Sequence, residues 1–264
     1  MSELLLVVDV GNSHTVLGLY HEDTLTEHWR IATDAKTTTD ELGVLLLSLF
    51  SAHGISAKDV SAVVCASVVP PLMHATRRVF RRYFDVDPVF VSADTDLGMP
   101  IHCDNPQEVG ADRLVNAFAA YARYGTAAVV VDFGTATTFD VVSEAGAYEG
   151  GVIAPGLGTS LDALFVRAAK LPRVEIAKPK AAIGKNTVSS MQSGIVYGYV
   201  GLVDGLVTRV LGEIETKGPV TVVATGGLAG LIAAESATIA HVEPFLTLDG
   251  LRLIYLRSRC DRRD

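Results

Sequence analysis

Residues Leu4 to Tyr20 read LLLVVDVGNSHTVLGLY. The unbroken apolar run from Leu4 to Val8 is rich in branched side chains, which predicts a strand buried on both faces. The run ends at Asp9, a turn of small residues follows, and Thr15 to Tyr20 predicts a second strand. A carboxylate at the end of a buried strand is costly unless it is paired, hydrogen-bonded or bound to a cation. Because small residues let a ligand approach backbone N–H groups, the stretch predicts a site for phosphate or metal.

The same pattern occurs a second time in the chain. Val130 to Thr138 reads VVDFGTATT and matches VVDVGNSHT at Val7 to Thr15, so both segments follow V-V-D-x-G-x-x-x-T. Chance similarity of two strand–turn segments is the alternative interpretation. Two buried strands that each end in Asp-x-Gly are better explained by a duplicated domain. Two such turns facing each other can hold the phosphates and metal of a nucleotide from both sides.

Composition restricts the class of protein. The chain has 264 residues, 49% of them hydrophobic and 20% charged, so a large core is expected and disorder is not. The formal net charge of −8 argues against a dedicated nucleic-acid binder, which usually has a basic face. Two arginine-rich segments are exceptions, and we interpret them as a solvated helix face and tail: Arg77, Arg78, Arg81 and Arg82, and the end from Arg257 to Arg263.

Cysteine and histidine usage gives no metal or disulfide pattern. Cys65, Cys103 and Cys260 form no CxxC pair, which favours a reduced, cytoplasmic protein. The seven histidines are scattered without an HExxH pair.

No unbroken apolar run approaches the roughly 20 residues of a membrane span. The N-terminal apolar stretch is short and lacks a preceding basic region, so we expect no signal peptide and no membrane association.

Strands come first in each half and helices alternate afterwards. We predict strands over residues 4–8, 15–20, 24–31, 62–69, 89–92, 127–132, 139–143, 152–154, 220–224 and 241–244. The predicted helices cover residues 40–52, 74–84, 110–124, 161–169, 187–214 and 249–257, with a short one after Gly227. Thr39 or Asp40 is the expected cap of the first helix and Gly54 its stop. We expect the long helix to be broken or eased near Gly198, Gly201 and Gly205.

Common phosphate-binding motifs are absent from the sequence. There is no GxxxxGK[ST]; Gly184-Lys185-Asn186-Thr187 imitates its end without the earlier glycine. There is no GxGxxG after a strand, so a dinucleotide fold is not expected. Five small-residue turns remain as candidates: Asp9 to Ser13, Gly110 to Arg113, Asp132 to Thr135, Gly156 to Thr159 and Thr225 to Gly227.

The two Asp-x-Gly turns and Ala224-Thr225-Gly226-Gly227 resemble the actin/hexokinase/acetate-kinase superfamily. An ordered series of six segments is similar, more specifically, to the type III pantothenate kinases: DVGNS at Asp9, ASVVP at Ala66, DNPQEVGADR at Asp104, DFGTATT at Asp132, GGVIAPG at Gly150 and GKNTVSSMQSG at Gly184. Asp-x-Gly alone is weakly specific, whereas the ordered series, spanning about residues 4 to 250, is strongly specific.

The resemblance implies a fold and an activity. The fold class is α/β, with two duplicated actin-like (ribonuclease H-like) α/β domains and a nucleotide cleft between them. Residues 1–116 would carry the first phosphate loop, and residues 117–264 the second Asp-x-Gly turn and a dimerisation helix. The activity is ATP-dependent phosphorylation of pantothenate to 4′-phosphopantothenate, the first step of coenzyme A biosynthesis.

The resemblance also assigns roles to residues. Asp112 would be the general base, and Asp9 would hold Mg²⁺. Asp132 would hold a monovalent cation, K⁺ or NH₄⁺. ATP would contact Thr135 and the first loop, which consists of Asp9, Val10, Gly11, Asn12, Ser13, His14, Thr15 and Val16. Pantothenate would contact Gly110, Ala111, Asp112, Arg113 and Cys103, together with Thr187 from the partner of a homodimer.

Several of these residues have a purely structural interpretation as well. Asp112 is an acid at a helix N-terminus, which the helix dipole favours, and Arg113 is then a surface charge. Thr187 reads as a helix cap, and Gly226 with Gly227 reads as a plain strand–helix turn. Cys103 stands where family members often carry an aromatic residue, usually tyrosine, and Ser13 replaces a commoner threonine.

Two other functions are open at this point. One is a non-catalytic regulator of the Bvg accessory factor group, which would be expected to lack the Asp112 or Asp132 carboxylate. The other is a different actin-like small-molecule kinase, whose members are usually longer and lack the pattern of GADR with GKNT.

Overall fold

A computed structural model describes residues 4–260, apart from the Cys260 side chain. Residues 261–264, which hold the end of the predicted arginine-rich tail, lie outside the described residues. Contacts divide the chain into two compact units. Unit 1 comprises the residues up to Gly98, Asn105–Ala119 and those from Thr247 onward, and unit 2 comprises Met99–Asp104 and Ala120–Leu246.

Unit 1 is built on a five-stranded sheet with the strand order β3-β2-β1-β4-β5. The strands are β1 Leu4–Val10, β2 His14–His21, β3 Thr24–Ala32, β4 Val60–Ser67 and β5 Val89–Phe90. The helices are α1 Thr39–Ala52, α2 Pro70–Val79 and α3 Ala111–Tyr124, of which the last continues into unit 2. Short 3₁₀ segments cover Ala57–Asp59 and Pro106–Glu108, and a π-helical turn covers Phe80–Phe84. One sheet face, with Leu6, Val8 and Val10, forms a core with residues of α1 and α2.

Unit 2 repeats this arrangement. Its strands are β6 Ala127–Phe133, β7 Ala136–Val142, β8 Tyr148–Pro155, β9 Val220–Gly226 and β10 His241–Val242. Their order is β10-β9-β6-β7-β8. Read from the β8 edge, the strands come in the order third, second, first, fourth and fifth of the unit, as they do in unit 1. The helices are α4 Leu157–Arg167, α5 Thr187–Glu213 and α6 Ala229–Ala233. The prediction of a duplicated α/β fold is confirmed.

The last helix, α7 Leu246–Cys260, groups with unit 1 from Thr247 onward, whereas the predicted limits of 117–264 put it in the second half. The buried Tyr20 hydroxyl donates a hydrogen bond of 2.6 Å to Asp249 Oδ1. A Cβ atom on Gly18 would lie 2.9 Å from Leu248 Cδ1, so the missing side chain lets α7 approach β2. The helix therefore packs on the sheet face opposite the α1/α2 core.

The starts of α1, α2 and α4 are among those that differ from the prediction. The cap of α1 is Thr38, which forms a capping box with Glu41, rather than Thr39 or Asp40. Helix α2 begins at Pro70 instead of at 74. Proline is tolerated in the first turn of a helix because its missing N–H would have no partner there. Pro70 and Pro71 therefore open this helix in addition to ending the region of the preceding strand. Helix α4 begins at Leu157, directly after Gly156, instead of at 161.

The long helix α5 runs unbroken from Thr187 to Glu213, so the expected break near its glycines is absent. It is the one helix among the described residues that is long and apolar enough to cross a membrane by length and composition alone. The sequence-based expectation considered only uninterrupted apolar runs and therefore missed it. Only 22% of its most apolar window is fully buried within the chain, although partly buried residues of the helix such as Leu202 and Leu206 pack on the core of unit 2.

Candidate functional site

The first Asp-x-Gly turn closes the hairpin of β1 and β2. Asp9 pairs with Val16 and Val10 with Thr15, and the Gly11 N–H donates to the His14 carbonyl oxygen at 3.1 Å. Asn12, Ser13 and His14 are exposed at the tip, and Asp9 is half-buried at the end of its strand. The sequence prediction of a small polar turn after a buried strand is confirmed. Its backbone and short side chains are of the kind that suit an anionic ligand.

The segment that follows β3 braces this turn. The Thr33 N–H donates to the Ser13 carbonyl oxygen at 3.0 Å, and the hydroxyls of Thr15 and Thr33 are 2.9 Å apart. Thr15 is buried, so its hydroxyl is satisfied from inside the unit rather than by solvent. Thr15, one of the residues of the predicted ATP loop, therefore helps to make the hairpin rigid.

The turn that carries Asp112 opens α3. The Gly110 carbonyl oxygen accepts hydrogen bonds from the N–H groups of Arg113 and Leu114, at 3.1 and 3.2 Å. Asp112 Oδ1 accepts a hydrogen bond of 2.8 Å from the Arg113 N–H. A Cβ atom on Gly110 would lie only 2.5 Å from that same Oδ1 atom. Glycine at position 110 thus leaves the space that the carboxylate occupies.

The structure brings this turn next to the first hairpin. The Val68 N–H, just after β4, donates to the Val10 carbonyl oxygen at 3.1 Å. Val68 Cγ1 lies 3.5 Å from the Cβ position of Gly110. Val68 therefore contacts both the end of β1 and the start of the GADR segment, which are about 100 positions apart in the sequence. These contacts connect the ASVVP segment to both turns.

Asp112 has an electrostatic environment suited to proton transfer. Burial raises the pKa of its carboxyl group, and the Arg113 N–H and the Arg113 charge lower it by a smaller amount. The net effect is a pKa above the ordinary value for aspartate. A carboxylate with a raised pKa is a better proton acceptor in its ionised form.

The second Asp-x-Gly turn closes the hairpin of β6 and β7, and it is one residue shorter than the first. Asp132 pairs with Thr138, whereas Asp9 pairs with Val16, and the closing bond runs from the Gly134 N–H to the Ala136 carbonyl oxygen at 3.0 Å. The final threonines of the repeated sequence are therefore not equivalent in the fold. Thr137, which pairs with Phe133, is the counterpart of Thr15.

Close backbone packing surrounds Asp132. Gly226, at the end of β9, has a φ of +90°, and a Cβ atom there would lie 2.6 Å from Asp132 Oδ1 and 2.7 Å from the Phe133 carbonyl oxygen. A side chain at position 226 is thus excluded both by conformation and by space. The interpretation of Gly226 as a plain strand–helix turn is incomplete, because the absence of a side chain here also lets the Asp132 carboxylate and the Phe133 backbone approach.

The turn at Thr135 sits against the N-terminus of α4. The Gly156 N–H and the Thr159 hydroxyl both donate to the Thr135 carbonyl oxygen, at 3.1 and 2.7 Å. A Cβ atom on Gly156 would overlap the carbonyl oxygens of Gly134 and Thr135. Gly156 precedes α4 without a side-chain cap, and the Thr135 side chain is exposed. An uncapped helix N-terminus beside an exposed hydroxyl suits a phosphate group.

Sequence reasoning missed a set of polar residues on the same face of this sheet. Thr138 and Thr225 are the cross-strand partners of Asp132 on either side. Asp140, two residues after Thr138, is fully buried and accepts hydrogen bonds from the hydroxyls of Tyr148 and Thr138. The period of two along β7 puts Thr138 and Asp140 on one face, and that signal was present in the sequence. The pairing of Thr138 and Thr225 with Asp132, in contrast, could be learned only from the strand register in the structure.

The remaining candidate residues lie on other elements of unit 2. Cys103 is half-buried, and its Sγ atom is 3.8 Å from the Cβ position of Gly150 in β8. Thr187 is exposed at the first position of α5. The interpretation of Thr187 as the helix cap is wrong, since Asn186 is the cap and accepts a hydrogen bond from the Ser189 N–H.

The donor atoms indicate which ions fit. Among the described residues, no group of three or more His, Cys, Asp or Glu side chains is placed to hold a metal ion. An ion at Asp9 or Asp132 therefore takes its other ligands from hydroxyl, carbonyl, phosphate or water oxygens. Mg²⁺ bound through one carboxylate, phosphates and water fits the exposed turn at Asp9. Asp132, with Thr138 and Thr225 as its cross-strand neighbours, offers oxygen atoms of the kind that a cation binds.

Comparison with solved structures confirms the fold. The chain is similar to MreB 5 of Spiroplasma citri bound to AMPPNP, with a TM-score of 0.58, 9% identity and coverage of 100% of this chain and 99% of the other. It is also similar to the ethanolamine utilization protein EutJ from Carboxydothermus hydrogenoformans, with a TM-score of 0.56, 12% identity and coverage of 95% and 89%. At such low identity these likenesses show the actin/hexokinase-like fold alone.

Sequence comparison is far more specific. The family model of type III pantothenate kinase matches residues 5–209. A type III pantothenate kinase of Geotalea uraniireducens is 56% identical over 256 residues, which cover 97% of this chain and 99% of that protein. Those of Syntrophobacter fumaroxidans and Myxococcus xanthus are 53% and 54% identical, each with 97% of this chain and 99% of the relative covered. The chain therefore belongs to the type III pantothenate kinase family.

Proposed function

We propose that this protein transfers the γ-phosphoryl group of ATP to the terminal hydroxyl of pantothenate and so forms 4′-phosphopantothenate, at the start of coenzyme A synthesis. Family membership over nearly the full length supports the reaction. The observation that carries the mechanism is the Asp112 carboxylate, held in place by Gly110 and Arg113 beside the end of β1.

Asp112 acts as the general base. Its Oδ1 atom is fixed by the Arg113 N–H, and its burial raises the pKa of the carboxyl group. Phosphoryl transfer needs alignment and charge neutralisation more than covalent help, so the proton of the attacking hydroxyl leaves late. A base of this kind contributes about 10²–10⁴-fold to the rate. Arg113, the next residue, steadies substrate or phosphate charge.

ATP binds to the two Asp-x-Gly turns in this proposal. Exposed Asn12 and Ser13 on the first turn and Thr135 on the second offer hydroxyl, amide and backbone donors to the phosphates. The α4 N-terminus, against which the Thr135 turn packs, adds a favourable dipole for a negative group. Asp9 holds Mg²⁺, which when bound neutralises phosphate charge, and Asp132 holds K⁺ or NH₄⁺.

The pantothenate site includes Gly110, Ala111 and Asp112, with Cys103 as a candidate wall and Thr187 supplied by a second copy. Cys65, in contrast to Cys103, is completely buried in the core. Burial raises the pKa of its thiol, so little of the reactive thiolate forms. The protein works in the cytoplasm in this proposal, without nucleic-acid or membrane partners.

A homodimer explains the exposed face of α5. Gly194, Gly198 and Gly201 are exposed on this helix, and a Cβ atom on any of them would meet nothing within 4 Å. Each glycine costs about 1 kcal/mol in a helix interior relative to alanine, so the chain's own packing does not account for them. Nearby Val188 and Ile183 are 43% and 75% exposed. A second copy of the helix that approaches closely along the glycines would cover this apolar face.

The experiment that tests the proposal measures ATP consumption with pantothenate as acceptor, in K⁺ and in Na⁺. We expect turnover that depends on pantothenate and on K⁺. A non-catalytic regulator gives no turnover with any acceptor, and a different actin-like kinase turns over with a sugar or acetate but not with pantothenate. Either result would reject the proposed function.

A further inference from the structure

Asp132 lies in the middle of a row of three oxygen-bearing side chains that crosses three strands. Its parallel partner on β9 is Thr225, and its antiparallel partner on β7 is Thr138. Directly paired residues point to the same face of a sheet, with Cβ atoms about 4.5–5.5 Å apart. Two threonine hydroxyls therefore flank the carboxylate. Thr225 is buried and Thr138 half-buried, so both lie at the edge of the unit's interior.

The equivalent row in unit 1 is different in chemistry. Asp9 pairs with Val16 on β2 and with Ala66 on β4. Because the two sheets have the same strand order, the difference comes from the side chains and not from the topology. One aspartate has apolar neighbours on both sides, and the other has a hydroxyl on both sides. The two turns are thus built for different ions.

Asp140 determines which way the Thr138 hydroxyl points. Its carboxylate has no exposed surface, and it accepts hydrogen bonds from Tyr148 Oη at 2.9 Å and from Thr138 Oγ1 at 3.1 Å. A hydroxyl group has one proton. When the Thr138 proton points to Asp140, the Thr138 oxygen offers only lone pairs in other directions, including that of Asp132.

Asp132 packs closely against the end of β9. The Gly226 Cβ position is 2.6 Å from Asp132 Oδ1, and the φ of +90° disfavours any other residue there. A carboxylate with a hydroxyl acceptor oxygen beside it is electrostatically suited to a cation. Neutral oxygen ligands that replace the hydration shell suit K⁺, whereas Mg²⁺ keeps several of its waters.

We infer that Thr138 and Thr225 supply hydroxyl oxygens to the monovalent cation at Asp132, and that Asp140 is a positioning residue that orients Thr138 for this purpose. The inference rests on the proposed binding of a monovalent cation at Asp132. It extends the site from one aspartate to a row of three residues with a buried carboxylate behind it.

The test measures the rise in Tm of the dimer with K⁺ concentration, in the presence of AMPPNP and Mg²⁺, with choline chloride keeping the ionic strength constant. A ligand that binds only the folded state stabilises it by RT ln(1 + L/Kd), where L is the free ligand concentration, so a weaker site needs a proportionally higher concentration for the same rise in Tm. Thr138→Val and Thr225→Val remove one hydroxyl each. Thr221→Val is the matched control, since Thr221 is also on β9 but bonds Thr126 at the opposite end of the sheet, at 2.9 Å.

We expect Thr138→Val, Thr225→Val and Asp140→Asn to need about 10–100-fold more K⁺ than the wild type for the same rise in Tm, the range for loss of supporting residues at metal sites. Thr221→Val should match the wild type. Thr138→Ser keeps the hydroxyl and should retain the K⁺ dependence of the wild type, which separates loss of the oxygen from loss of packing.

Two results would overturn the inference in distinguishable ways. If K⁺ stabilises the wild type and the valine variants equally, the row of threonines is not part of the site, while the cation at Asp132 stands. If K⁺ has no effect on the wild-type Tm while pantothenate is still phosphorylated, the cation and the row are both rejected and the kinase function stands.

Discussion

Asp112 Oδ1 occupies the space that a Cβ atom on Gly110 would take, since the two positions are 2.5 Å apart. Gly110→Ala should therefore displace the carboxylate from the position where the Arg113 N–H holds it. We expect kcat/KM for pantothenate to fall by about 10–100-fold, because small displacements of a reacting group cost this much. Steady-state kinetics test this, and Gly212→Ala, at a site with nothing within 4 Å of the added Cβ, is the control. An unchanged kcat/KM for Gly110→Ala would contradict the role of this glycine.

Replacement of Asp112 should make the protein more stable near neutral pH. The pKa of Asp112 is raised in the folded state, so the folded protein binds the proton more tightly than the unfolded chain does. The free energy of unfolding is then largest below the ordinary carboxyl pKa of about 3.9 and falls as pH rises through the folded value. Asp112→Asn cannot ionise and avoids this loss.

Denaturant unfolding at several pH values measures the effect. The stability advantage of Asp112→Asn over the wild type should be present at pH 7 and shrink as the pH is lowered toward 4. Asp59→Asn, which removes an exposed carboxylate, is the control. A variant less stable than the wild type at pH 7 would mean that the carboxylate is stabilised in the fold rather than strained by burial.

Thr15 and Thr137 are equivalent in the two hairpins but differ in hydrogen bonding. The buried Thr15 hydroxyl bonds Thr33, whereas the Thr137 hydroxyl has no hydrogen-bond partner within the part of the chain that the structure describes. Thr137→Val should raise the free energy of unfolding by about 1 kcal/mol, because it removes an unsatisfied buried polar group. Thr33→Val should lower it by about 1–3 kcal/mol, because it leaves Thr15 unsatisfied. Urea titration of both variants decides the matter, and changes of the same sign would refute the comparison.

The glycines on the exposed face of α5 give a test of the dimer. In an isolated helix, Gly198→Ala stabilises by about 1 kcal/mol. If a second copy approaches closely at this glycine, the added methyl group separates the helices instead. We expect weaker dimerisation and a lower Tm, measured by analytical ultracentrifugation and thermal unfolding, whereas Gly230→Ala, on the exposed surface of α6 with nothing within 4 Å of the added Cβ, should leave dimerisation unchanged. An intact dimer with a raised Tm would contradict the proposed interface.

Local patterns in the sequence were sufficient for the hairpins, the duplicated fold and most strands. Leu4 to Val8 and Ala127 to Val131 are short apolar runs rich in branched side chains, each followed by Asp, and this pattern favours buried strands. Long-range relations were not accessible in this way. The period of two along β7 does not reveal that Thr138 faces Asp132, because the second hairpin is shorter by one residue. Nothing local indicates that α7 packs against Gly18.

Several helix starts were predicted wrongly for a related reason. Pro70 reads as the end of a strand as easily as the first turn of a helix, and only the geometry around Val69 decides between them. The proximity of Gly110 to Val68 likewise depends on packing across about 40 intervening residues, although both segments were recognised separately.

The account's central claim is that Asp112 is the base for phosphorylation of pantothenate. The most direct measurement is the rate of 4′-phosphopantothenate formation by Asp112→Asn relative to the wild type, with ATP, Mg²⁺ and K⁺ at saturation and thermal unfolding confirming that the variant is folded. We expect kcat to fall by about 10²–10⁴-fold while ATP binding is retained. A folded variant with wild-type kcat would contradict the claim.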